Sequence, residues 1–127
     1  MASADTNVLV RLLTNDEPRQ AGAVKRFIAA HGPLRVSQLA LVEALWVLDG
    51  TYRLGRTDQA EVVEALLAGA EFVLEREGEV EDALQSFRAS RADFADCLLL
   101  PNAAAAGELP LATFDRALGK LQGAQAL

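Results

Sequence analysis

Along LALVEALWVL, residues 39 to 48, every position is apolar except Glu43. Helical spacing puts Leu39, Val42, Glu43 and Trp46 on one face, because side chains three and four residues apart lie together. That reading turns Glu43 toward the core, where an ionised carboxylate costs several kcal/mol unless a partner, a proton or a metal compensates. The rest of the pattern supplies a frame. Ala2 to Asp5 reads as a weak opening strand and NVLVRLL as a short helix. Asp16 is placed to cap a second helix that has Pro18 in its first turn and stops near His31-Gly32-Pro33. LRVS, residues 34 to 37, is a strand, and Ser37 caps the helix that carries Glu43 as far as Asp49 or Tyr52.

Asp58 followed by Glu61 resembles a capping box opening AEVVEALLAG, which ends at Gly69. EFVLE, residues 71 to 75, alternates as a strand does. In EVEDALQSFRAS the residues Val80, Ala83, Leu84 and Phe87 recur at helical spacing. A further helix starts near Asp93 and contains DFADCLLL. Pro101 should kink or end it, since proline leaves the Cys97 carbonyl without its donor at a cost of about 3 kcal/mol. LPLAT, residues 109 to 113, is a strand, followed by Asp115, a short helix and an apolar tail. Short strands separated by helices predict an α/β domain with a mainly parallel sheet, and sites in such sheets form beyond the carboxyl ends of the strands.

Length and composition add bounds. A chain of 127 residues is most economically one domain, 1–127, with a core that needs no staples. One cysteine, Cys97, excludes an internal disulfide. MASADTNVLV lacks the form of a signal peptide, and no apolar run reaches bilayer length, so a soluble cytoplasmic protein without membrane contact is expected. A net charge of −6 excludes nucleic-acid binding through a general basic surface, although local groups of Arg and Lys remain available.

The chemistry concentrates in carboxylates. Asp5 and Asp115 each follow a strand, Asp93 and Asp96 lie three apart on one helix, and Glu43 lies on a third element. Like charges gathered without counter-ions are unfavourable, and hard divalent cations such as Mg²⁺ or Mn²⁺ resolve the conflict. One His and one Cys are too few for a standard zinc set, His31 alone makes a poor catalytic triad, and neither GxxxxGK nor GxGxxG occurs. Asp5, Asn7, Asp93 and Asp115 each have an alternative use as helix caps.

Taken in order, ADTNVLVRLL, Glu43 in its apolar helix, ADFADCLL and LATFDRAL resemble the PIN-domain ribonucleases, with the closest likeness to the toxin of VapBC-type toxin-antitoxin pairs. The resemblance implies a three-layer α/β/α PIN-like domain with a central parallel sheet. It implies an endoribonuclease dependent on Mg²⁺ or Mn²⁺, held inactive by a cognate antitoxin and often a homodimer. Carried over by position, the family's acidic residues fall on Asp5, Glu43, Asp96 and Asp115, with Asp93 at an extra acidic position. Asn7 and Thr113 match supporting polar positions. The rival reading is a catalytically inactive PIN-like domain that serves as a protein interaction module.

Overall fold

Every strand in this chain is three residues long, so each depends on a neighbour for its backbone hydrogen bonds. The computed structural model describes residues 1–127, which form two compact units, Met1–Glu75 and Arg76–Leu127.

The first unit runs α1 (Thr6–Thr14), α2 (Pro18–His31), β1 (Leu34–Val36), α3 (Gln38–Gly50), α4 (Arg56–Ala68) and β2 (Phe72–Leu74). β1 and β2 pair in parallel, with Leu34 opposite Phe72 and Val36 opposite Leu74. Those four side chains are buried while Arg35 between them is exposed, the alternation expected of a half-buried sheet. The opening strand is reduced to one parallel bridge between Ser3 and Arg35. There the Ala4 N–H donates to the Arg35 carbonyl and the Arg35 N–H to the Ala2 carbonyl, each at 2.9 Å. Ala and Ser favour strands weakly, and the chain turns into α1 at Asp5, which caps it by accepting from the Val8 N–H at 3.0 Å.

Two local expectations fail in this unit. Asp16 does not cap α2, whose N-cap is Glu17 without a side-chain bond. Its carboxylate is already engaged, accepting from the Tyr52 hydroxyl at 2.6 Å, the Thr14 hydroxyl at 2.8 Å and Arg11 Nη1 at 3.2 Å. The helix expected to open at Asp58 begins at Arg56 after Gly55, which puts Asp58 in the first turn instead of at a capping box. Buried Gln59 fixes the preceding loop, donating to the Leu54 carbonyl at 2.7 Å.

α3 also turns differently from its pattern. Its buried face carries Ala40, Leu41, Ala44, Leu45 and Leu48, while Leu39, Glu43 and Trp46 are exposed. Nearly every position is apolar, so two faces compete for the core. The one containing the carboxylate loses because its burial would cost several kcal/mol. Ser37 caps this helix as expected, accepting from the Ala40 N–H at 3.1 Å.

The second unit runs α5 (Glu77–Ala89), α6 (Phe94–Ala106), β3 (Leu111–Thr113), α7 (Arg116–Gly119) and β4 (Ala124–Ala126). Val80, Ala83, Leu84 and Phe87 of α5 are buried, as are Phe94, Cys97, Leu98 and Leu100 of α6. Phe87 and Phe94 meet edge to face with ring centroids 5.6 Å apart. The helix does not end at Pro101 but continues for five more residues. The alanines beyond it are the strongest helix formers. Gly107, left-handed at φ 72, then closes the end with its N–H on the Ala103 and Ala104 carbonyls. The apolar tail forms β4, parallel to β3 with Leu111 opposite Ala124 and Thr113 opposite Ala126. Helices joined to parallel strands in both units make this an α/β chain.

Candidate active site

In the first unit the start of α1 meets the middle of α3. Asp5 is exposed at the N-cap, and the cap bond occupies only its Oδ1. The next residue, Thr6, donates its hydroxyl to Glu43 Oε2 at 3.2 Å. Asp5 and Glu43, 38 positions apart in sequence, are thereby linked through the one threonine that follows Asp5. Asn7 is exposed on α1, and the polar link to Glu43 comes from Thr6. In the triplet DTN the residue that reaches Glu43 is thus the threonine between the two candidate positions, Asp5 and Asn7.

In the second unit two carboxylates, those of Asp93 and Asp115, bear on a third, that of Asp96. Asp93 caps α6 through the Phe94 N–H at 2.9 Å. Asp96, half-buried in the first turn, has its pKa raised, first by burial and then by the negative charges of Asp93 and Asp115. Asp115 follows β3 and caps α7, accepting from the Leu118 N–H at 2.8 Å, while its own N–H donates to Thr113 Oγ1 at 3.0 Å. Thr113, the last residue of β3, thus fixes the corner at which Asp115 leaves the strand.

The donor set is all oxygen, which suits a hard divalent cation. No three acidic, His or Cys side chains are grouped tightly enough to enclose an ion by themselves. Mg²⁺ does not require that, because it keeps several waters and is commonly held through one or two carboxylates. His31 stacks on Phe27 at the end of α2, with ring centroids 4.1 Å apart, and Cys97 is fully buried. No helix is long and apolar enough to cross a membrane.

Comparison with known proteins identified one family, the PIN domain, whose model matches residues 4–124. No curated protein and no solved structure matched the chain. PIN domains are generally nucleases, act on RNA or other nucleic acid and typically use Mg²⁺ or Mn²⁺. The match leaves out only the first three and last three residues and takes in both acidic groups, and the chain therefore belongs to the PIN domain family.

Proposed function

We propose that the protein is a divalent-metal-dependent endoribonuclease that hydrolyses RNA phosphodiester bonds, with Asp5, Glu43, Asp96 and Asp115 as its metal ligands. The observation that carries this reading is the acidic group of the second unit, where half-buried Asp96 lies under the like charge of Asp93 and Asp115. Such a group is costly as structure and useful as a cation site. A bound divalent ion would supply the positive charge needed at a phosphodiester undergoing displacement. The chain's own residues hold and orient the ligands: Thr6 steadies Glu43, Thr113 fixes the backbone at Asp115, and Asp93 adds negative charge beside Asp96. This chemistry needs no catalytic histidine, which suits a chain with one imidazole stacked on Phe27.

The likeness of the ordered motifs to VapBC toxins supports a finer reading: a cytoplasmic toxin, working as a homodimer and restrained by a cognate antitoxin. The direct test is cleavage of total cellular RNA with Mg²⁺ or Mn²⁺, with mapping of the new ends. We expect cleavage by wild type that is lost in chelator and in the Asp96→Asn protein. Undiminished cleavage by well-folded Asp96→Asn protein refutes the assignment. A folded wild type that cleaves no RNA with either metal favours the interaction-module reading.

A further inference from the structure

The chain is acidic, with a formal net charge of −6, so an RNA strand approaching it meets general repulsion. One place in the second unit has the opposite character. Arg91, Arg116 and Lys120 line a single cavity of about 500 Å³, together with Ser90 and the apolar side chains of Ala117 and Leu121. No carboxylate lines it, and all three cationic residues are exposed. Its placement along the chain is specific. Arg91 precedes Asp93 by two residues, Arg116 directly follows Asp115, and Lys120 is the C-cap of α7, the helix that Asp115 opens. The segments that form the cavity are therefore the same two that bring Asp93 and Asp115 to bear on Asp96.

Guanidinium groups bind phosphate through paired N–H donors, and lysine adds a mobile point charge. A hydroxyl and a small apolar surface beside them suit a sugar or an unstacked base. We propose that this cavity is a cradle for the phosphodiester backbone of single-stranded RNA, holding phosphates that flank the bond to be cut. The proposal rests on the nuclease reading for its choice of ligand and adds to it the residues that hold the substrate. A concave site with three cations in one cluster accepts a single strand, and counterion release should make binding strongly dependent on salt.

The test is fluorescence anisotropy with a labelled unstructured RNA of about twelve nucleotides, within the usual site size of single-strand binders. It is run in chelator, so that binding is read without metal or cleavage. Wild type should bind with a slope of log K against log salt of about −1.4 or steeper, from Arg116 and Lys120 at about 0.7 each. Arg116→Gln and Lys120→Gln should each weaken binding several-fold and make the slope less negative by about 0.7. Lys120→Arg should restore both, and thermal melting should show all variants folded. Unchanged affinity and slope in both neutral variants overturns the cradle, as does equal weakening by Lys120→Arg. Tighter binding of a poly-glutamate peptide than of RNA also overturns it, in favour of an acidic protein partner. Cleavage with Mg²⁺, measured in parallel, separates the two readings. A wild type that binds in this salt-dependent way but does not cut supports the cradle and defeats the nuclease. A wild type that cuts, with neutral variants of unchanged KM and salt slope, supports the nuclease and defeats the cradle.

Discussion

The acidic residues of the first unit are handled differently from those of the second. Glu43 is exposed and receives a hydroxyl hydrogen bond from Thr6, and Asp5 is exposed and spends one oxygen on a helix cap. Asp96 is half-buried, and the charges acting on it, those of Asp93 and Asp115, are of its own sign. The pair in the first unit is served by solvent and by hydrogen bonds, and in the second unit Asp93 and Asp115 are caps as well, so that Asp96 alone is kept under electrostatic load. The contrast separates two jobs that carboxylates do in a fold. Capping carboxylates stabilise what they touch, whereas a loaded carboxylate destabilises the protein unless a cation offsets it.

The contrast breaks most visibly on activity. Asp96→Asn and Glu43→Gln should each lower metal-dependent RNA cleavage by more than about 100-fold, since loss of a ligand's supporting partner alone costs 10- to 100-fold. The same two proteins, stripped of metal, should melt no lower than wild type, and a marked fall for either in chelator would show an unrecognised structural role. Thr6→Val should come next, with activity down about 10-fold through a less well held Glu43, read as a change in metal dependence at unchanged fold.

Asp5 sharpens the contrast because it serves in both ways. Asp5→Ala should lose cleavage and also about 1 kcal/mol of stability with the cap, whereas Asp5→Asn should lose cleavage alone, as Asn caps about as well as Asp. Denaturant melts of the two variants decide this, and equal stability would mean the cap bond contributes nothing.

The smallest effects are in pH, and they have opposite signs. Asp96 has a folded pKa above its unfolded value, so it favours the folded state below the unfolded value. That contribution is lost as pH rises through the raised folded value. Metal-free wild type should therefore lose stability relative to Asp96→Asn across that rise. Asp16 is held low by hydrogen bonds from Tyr52 and Thr14 and by the charge of Arg11. Its contribution is present above the unfolded value and is lost as pH falls through the lowered one. Melts of Tyr52→Phe against wild type should converge toward acid pH.

The order of elements was readable because each left a physical mark in the chain: helical spacing in α5, alternation in β1 and β2, Ser37 before α3, Gly69 after α4. The errors lie where one residue type serves two uses or one helix has two apolar faces. Asp16 looked like a cap, but Tyr52, 36 positions away, had claimed its carboxylate, and no local pattern encodes that. Glu43 looked buried because Leu39, Val42 and Trp46 shared its face, yet the face with Ala40 and Ala44 went inside. Pro101 was a warning about the helix interior, but the alanines after it and Gly107 at its end carried α6 through. The acidic residues themselves stood out early, as charges in apolar surroundings or at the ends of strands. What spacing does not contain is Thr6, which reaches Glu43 only once α1 and α3 are packed, and β4, whose AQA has no strand character until β3 lies beside it.

Those last residues have a practical meaning. The Leu127 N–H donates to the Thr113 carbonyl at 2.9 Å, so the final peptide group is bonded to the strand end from which Asp115 departs. At the other end, Ala2 and Ala4 are stitched to Arg35 immediately before the Asp5 cap. Residues 2 to 4 and residue 127 are thus woven into backbone that carries candidate ligands. A proline at position 4 or 127, which removes one of these N–H donors, will reach Asp5 or Asp115 without altering a single carboxylate.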